Sequence, residues 1–213
     1  MQEKIVAHAV EAFNQDGITR TTLRKVAQGL QMSDGHLRYY FKTKEDLLLA
    51  TYQSLEDAIT AQVPRVDEAF TVVRFRERLL SVFRLMYHYR FFFLETPQLL
   101  QQYGQVLQKF QRLMEGRRHA FVHLFRGYQQ TGVFRPDADE AIFPLLWEQF
   151  FVIGDNWVKY VVWRQPSEET LEREISYYAQ VCGALFLPYL NNELRPQMQE
   201  WVKQGAGRKP TSL

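Results

Sequence analysis

The chain has 213 residues, 46% of them hydrophobic and 23% charged, with one cysteine and a net charge of +2. That is enough chain to bury a core in one large domain or two small ones, and the apolar fraction excludes disorder. A lone Cys182 excludes a disulfide framework or a Cys-based zinc site within one chain, and the near-balanced charge selects no class of partner.

Glycine and proline are sparse, at 11 and 8 residues, which favours long helices over turn-rich β structure. The 16 Phe, 11 Tyr and 4 Trp can build a core, a lipophilic cavity, or both. The opening MQEKIVAHAV is broken by Glu3 and lacks the pattern of a signal peptide. The longest apolar stretch, 145–163, is interrupted by Glu148, Asp155 and Lys159 and reads as a buried helix, not a membrane span. The expectation is a cytoplasmic protein with no membrane partner.

Taken in chain order, a first helix is predicted over 2–15, with Ile5, Val6, Ala9, Val10 and Phe13 on one stripe and Gly17 ending it. Thr21 or Thr22 then caps a short second helix, whose Leu23, Val26, Ala27 and Leu30 share a face. Gln31 and Met32 make a turn. Ser33 caps a third short helix over 34–41, with Leu37 and Phe41 pointing inward. Thr43 starts a long fourth helix with Glu45 and Asp46 in its first turn, and Pro64 stops it.

Longer helices follow. One is predicted over 67–94, ending before Pro97, and another over 98–131, with a break at Gly104 left open and an end at Gly132. A third runs from near Asp137 to Trp163, and Pro166-Ser167-Glu168-Glu169 signals the start of a last one, up to Pro188. Residues 191–213 are polar, basic at the end, and read mostly as a flexible tail. No strand is credible, so the fold class is all-α.

Between Ile18 and Lys44, Arg20, Arg24, Lys25, Arg38, Lys42 and Lys44 stand against the single acid Asp34. Such a patch attracts phosphate, although charge alone leaves a plain solvated face open. Two short helices joined by a tight turn inside it suggest a helix-turn-helix. Leu37 and Phe41 would anchor its second helix and leave Gly35, His36, Arg38, Tyr39 and Tyr40 facing a groove.

The stretch TTLRKVAQGLQMSDGHLRYYFKTKEDLL, 21–48, closely resembles the DNA-binding domain of the tetracycline-repressor-like (TetR/AcrR) transcription regulators. The family's pattern is approximately T-x-x-x-I-A-x-x-x-G-V-S-x-G-x-L-Y-x-[HY]-F-x-x-K-E-x-L. Thr22, Val26, Ala27, Met32, Ser33, Gly35, Leu37, Tyr40, Phe41, Lys44, Glu45 and Leu47 sit where the pattern wants them, and the likeness extends over residues 1–50. Two positions depart from it. Gln31 replaces a common Gly, at a cost of about 1 kcal/mol in a left-handed turn. Arg38 replaces a common Tyr and could pair with a guanine edge or contact only phosphate or an acidic neighbour.

The resemblance implies a three-helix helix-turn-helix domain over 1–46 and a larger helical effector-binding and dimerisation domain over 47–190. It implies phosphate contacts for Thr22, Tyr39, Tyr40 and Lys44, with Ser33 also in the DNA-facing set. Gly35 would let the backbone approach DNA. His36 would touch a base, a phosphate or only water, and Lys42, Arg20 and Lys25 are further backbone candidates. Double-stranded DNA is the expected partner, together with a second copy of the chain through roughly 137–189, where 141–163 is apolar nearly all round. Gly154 and the Gly183-Ala184 pair would permit close helix crossings there.

A small-molecule effector of unknown identity is expected in place of a cofactor. Tyr87, Phe91, Phe92, Tyr103, Phe110, Phe121, Trp147 and Phe151 are candidate lining residues, each of which could equally be core. His88, Glu95, Gln149 and Asn156 are candidates to orient a lipophilic or aromatic ligand. Glu115, His119 and His123 share a helix face at metal-ligand spacing, but one helix rarely completes a site and no metal is expected. Cys182 lies on an apolar stripe and reads as an inert thiol. No glycine-rich phosphate loop, HExxH motif or nucleophile elbow occurs. The function expected is a one-component repressor, not an enzyme. The alternatives are a helical dimer without sequence-specific DNA binding, or a helical enzyme or metal protein.

Overall fold

The computed structural model describes residues 1–64 and 68–206. Among them are ten α-helices and one short 3-10 turn, and no strand beyond an isolated antiparallel bridge between Phe134 and Leu190. The fold is all-α, as the sequence indicates. Contacts divide it into two compact units: Met1–Ala61 with Leu85–Leu113, and Gln62–Arg84 with Met114 onward. The first unit is thus larger than the 1–46 domain expected from sequence.

In the first unit, α1 (Gln2–Asp16) buries Ile5, Ala9, Val10 and Phe13. It ends at Gly17, whose φ of 80° and ψ of 159° lie in a region essentially reserved for glycine. Helices α2 (Leu23–Gly29) and α3 (Asp34–Tyr40) follow, each capped by a side chain: Thr22 accepts from the Lys25 amide and Ser33 from the His36 amide. Their turn is a Schellman closure. The Met32 amide bonds Ala27 O and the Gln31 amide bonds Gln28 O, with Gln31 left-handed at φ 56°. Helix α4 (Lys44–Thr60) opens with a reciprocal capping box between Thr43 and Asp46.

Helix α5 (Val72–His88) and α6 (Arg90–Gln102) replace the single predicted helix over 67–94. The chain turns at Tyr89 and then continues helically through Pro97 instead of stopping before it. An interior proline costs about 3 kcal/mol. The burial of Phe91, Phe92 and Phe93 before it and Leu99 after it offsets that cost. Phe91 packs on Phe13 at 5.1 Å and Phe92 stacks on Tyr52 at 4.6 Å between ring centroids. Helix α7 (Gly104–Gln130) starts at the glycine where the sequence leaves a break open, and Gly132 follows its end with φ 76°.

The second unit contains the rest of α5 and α7, then α8 (Phe143–Trp163), α9 (Glu168–Ala184) and α10 (Leu194–Ala206). Phe125, Phe134, Phe143 and Phe186 form its aromatic centre, and Phe83 stacks on Trp157 at 4.9 Å. Arg164, just past α8, forms a buried ion pair with Glu174 of α9 at 3.0 Å. The expected tail over 191–213 is corrected by α10. The Asn191 side chain accepts from the Glu193 and Leu194 amides at its start, and Met198 and Trp201 bury one face. Leu194, Met198, Trp201 and Val202 recur at helical spacing, a stripe diluted by the polar residues around it. Residues 207–213 lie outside the described residues.

Candidate nucleic-acid interface

The outward face of α3 is set by what the helix buries. Leu37 and Phe41 are sealed in the core, which turns Gly35, His36, Arg38 and Tyr39 to solvent. Tyr39 is 81% exposed, an unusual place for so large a ring without a partner. It meets Tyr40 edge-on at 5.2 Å, and Tyr40 lies 5.7 Å from the His36 ring. A Cβ at Gly35 would meet nothing within 4 Å, so this face is open to close approach.

Thr22 and Ser33 are both exposed at the helix starts they cap. Lys42 is exposed, as are Arg20, Arg24 and Lys25. Arg38 is held in place: its Nε donates to Asp34 Oδ2 at 2.7 Å and its Nη1 to the Lys42 carbonyl at 3.1 Å. The acidic neighbour that the sequence leaves open for Arg38 is Asp34, one helical turn before it at i, i+4 spacing.

Lys44 is half-buried. Its ammonium donates to the Ile18 carbonyl and, at 3.4 Å, to the Thr19 carbonyl. Burial lowers its pKa, with the carboxylate of Glu95 opposing that shift. Of the residues foreseen at the interface, Ser33, Gly35, His36, Arg38, Tyr39 and Tyr40 belong to α3 and its cap. Thr22 caps α2, while Lys42 and Lys44 lie at the entry to α4.

The candidate lining residues are divided between the two units. Tyr87, His88, Phe91, Tyr103 and Phe110 belong to the first unit. There Phe91 is core against Phe13, Tyr87 carries the Arg90 guanidinium 5.0 Å from its ring centroid, and Phe110 lies 6.4 Å from Tyr52. His88 is exposed and Tyr103 half-buried. Phe121, Trp147 and Phe151 belong to the second unit and do come together, with Trp147 at 4.6 Å from Phe121 and 5.7 Å from Phe151. Glu95 turns to the Ile18 amide, and Asn156 bonds Val152 O and Lys159 Nζ on its own helix.

Glu115 and His119 pair at 3.4 Å on an exposed surface, and among the described residues no group of three His, Cys, Asp or Glu is placed to hold a metal ion. Burial pushes the Cys182 thiol up to about 12. Among the described residues no helix is long and apolar enough to cross a membrane.

Comparison with known proteins agrees with this geometry. A family model described as bacterial regulatory proteins, tetR family, matches residues 5–51. A second, described as bacterial transcriptional repressor, matches residues 52–198. The HTH-type transcriptional regulator HbdR of Aromatoleum sp. (strain CIB) is 29% identical over 70 residues, 33% of this chain and 31% of that protein. The match thus spans about a third of the length of that curated relative. A TetR-family transcriptional regulator from Marinobacter aquaeolei VT8 superposes with a TM-score of 0.81 at 23% identity, over 96% of this chain and 98% of that one. The fatty acid degradation regulator FadR from Bacillus halodurans gives 0.63 at 19% identity, over 85% and 93%. At such identities the two structures speak for the fold alone, and it is the family models, covering both units, that establish descent. The chain belongs to the tetR family and is a bacterial-type transcriptional regulator, not an enzyme.

Proposed function

We propose that the chain is a repressor that binds a near-palindromic operator as a homodimer and is released by a small lipophilic or aromatic effector. The observation that carries the DNA reading is the outward face of α3, where the core holds Leu37 and Phe41 and leaves His36, Arg38 and Tyr39 exposed beside an open Gly35. A helix so anchored can enter a major groove while Thr22, Lys42 and Lys44 engage the backbone. The match to a model described as a transcriptional repressor supports the sign of regulation.

The dimer reading is supported by α8. Leu145, Val152, Tyr160 and Trp163 recur on one side of it, and Trp163 is 67% exposed. An apolar stripe of this kind on a helix marks an interaction surface. A second copy presenting the same stripe satisfies it by two-fold symmetry, through roughly residues 137–189. Two recognition helices about 34 Å apart would then meet successive major grooves. The effector reading is supported by the cluster of Phe121, Trp147 and Phe151. On the same face of α8, Gly154 is buried yet has nothing within 4 Å of where its Cβ would stand. An effector acts by preferring one of two states of the dimer, and shifts binding only by that difference in affinity.

The test is selection of random double-stranded DNA by the purified protein at near-physiological salt. Enrichment of an inverted repeat with half-sites about one helical turn apart is expected. Weak, salt-sensitive binding without enrichment would overturn sequence-specific recognition.

A further inference from the structure

The corner between α5 and α6 has two backbone groups with no helical partner, the His88 carbonyl at the end of one helix and the Phe91 amide at the start of the next. Asn14 of α1 satisfies both. Its Nδ2 donates to His88 O at 2.7 Å and its Oδ1 accepts from the Phe91 amide at 3.1 Å. Further along α6, both carboxylate oxygens of Glu95 accept from the Ile18 amide, at 3.1 and 3.2 Å. Ile18 lies in the turn between α1 and α2, and the carbonyls of Ile18 and Thr19 in that turn receive the Lys44 ammonium. Gly17 makes room for this arrangement, since a Cβ there would stand 3.1 Å from Glu95 Oε1.

We propose that Glu95, fifty residues beyond the helix-turn-helix, is a positioning residue for DNA binding: it fixes the α1–α2 turn, and the turn holds Lys44 ready for a phosphate. The inference rests on the reading of Lys44 as a DNA contact. An ammonium has three donors. Two are taken by the Ile18 and Thr19 carbonyls, which leaves one for a phosphate oxygen and removes most of the side chain's freedom before DNA arrives. Ordering a lysine in advance lowers the entropic cost of the contact. Glu95 does not touch DNA in this scheme. It acts on Lys44 through the two backbone carbonyls of the turn and, in addition, through the charge of its carboxylate, and Asn14 ties α6 to α1.

The test compares the wild type with Lys44→Ala, Glu95→Ala, Glu95→Gln and the double variant Lys44→Ala/Glu95→Ala. Each is titrated against a random-sequence duplex of roughly thirty base pairs, and against the selected repeat, over a range of salt. A phosphate contact contributes about 0.9 to the slope of log affinity against log salt. Lys44→Ala is expected to weaken binding to both duplexes and to reduce the slope by about twice that amount, because a bound dimer carries two copies of the residue. Glu95→Ala is expected to do the same in the same direction, with a loss of roughly three- to tenfold. Glu95→Gln keeps an oxygen for the Ile18 amide but loses the charge that acts on Lys44, so it should bind at least as tightly as the wild type and keep the wild-type salt slope. The double variant should be no weaker than Lys44→Ala alone.

Glu95→Ala that lowers the thermal midpoint but leaves the salt slope intact would overturn the proposal, as would losses that simply add in the double variant. Tighter binding by Glu95→Ala would show that Glu95 withholds Lys44 instead of presenting it. Wild-type binding by Lys44→Ala would remove the phosphate contact itself, and the relay with it, while sequence-specific recognition by α3 would still stand or fall by the selection experiment.

Discussion

The indole of Trp201 lies against Gly183 so closely that a Cβ on that glycine would stand 2.4 Å from Trp201 Cζ3. The contact is where α10 crosses α9. A few residues on, Gly205 of α10 has no room for a Cβ against the Gln180 side chain of α9. From sequence, the Gly183-Ala184 pair permits a close helix crossing, considered there for a second copy of the chain. The crossing is present, but its partner is α10 of the same chain.

Gly183→Ala is therefore expected to destabilise the second unit. Trp201 is 5% exposed and cannot swing away as a surface side chain would. Overpacking of this kind costs about 1–3 kcal/mol, against roughly 1 kcal/mol gained from the better helix propensity of alanine. A lower urea midpoint with an unchanged slope is the expected result. Gly183→Ala should cost less in a Trp201→Leu background than in the wild type, because the smaller side chain leaves the methyl room.

Asp155 gives a prediction in pH. Burial pushes its carboxyl up to about 6, against the opposing influence of Arg117 and Lys159. An acid whose folded pKa lies above its unfolded value near 4 binds protons more readily in the native state. Its charged form therefore costs stability at neutral pH, and the cost disappears as pH falls from about 6 to about 4. Asp155→Asn should raise stability at pH 7.5 by up to about 2–3 kcal/mol and have little effect at pH 4. Urea titrations of both proteins at the two pH values check it. Equal stabilities at pH 7.5 would show that the carboxylate is well solvated there.

The turn of the helix-turn-helix carries a correctable strain. Gln31 is left-handed at φ 56° in the position of a Schellman turn that glycine favours. Its backbone strain costs on the order of 1 kcal/mol, partly offset because glycine gains more freedom on unfolding. Gln31→Gly is expected to raise the thermal midpoint by a few degrees at most. Since Gln31 is exposed and precedes the α3 cap by two residues, α3 should keep its geometry. A fall in the midpoint would mean that the Gln31 side chain contributes more than its backbone costs.

The first fifty residues were legible because their determinants are local. The caps Thr22, Ser33 and Thr43 act within three residues, and Leu37 and Phe41 declare the buried side of α3 by spacing alone. The corner at Tyr89 was not legible, because the side chain that completes it, Asn14, is 74 residues away. Pro97 misled for a related reason: its local penalty is real, but the phenylalanines packed before it decide the outcome. The same distance hid Glu95, whose partner Ile18 is 77 residues off. The aromatic residues could be counted in the sequence, but not sorted between two units by any local pattern. Helix α10 escaped because its apolar residues Leu194, Met198, Trp201 and Val202 are spread among polar ones, and of these four Met198 and Trp201 are the buried pair.

Arg38 offers the sharpest test of what the recognition helix reads. Its guanidinium is committed to Asp34 at 2.7 Å and to the Lys42 carbonyl at 3.1 Å. A bidentate contact to a guanine edge uses two parallel N–H groups and is worth about 1–3 kcal/mol of discrimination. To make it, Arg38 must give up at least part of its present hold, and an exposed i, i+4 pair costs only about 0.3–0.5 kcal/mol to break. The exchange is therefore favourable, and Arg38→Ala should flatten the preference at one base position in each half-site while changing folding stability by less than about 0.5 kcal/mol. Asp34→Asn should release the same side chain and remove the one acid of the patch, tightening binding to the random duplex. Repeating the selection with each variant separates the cases. If Arg38→Ala weakens binding evenly over all sequences, the guanidinium meets a phosphate and the base preference of α3 comes from His36 and its neighbours instead.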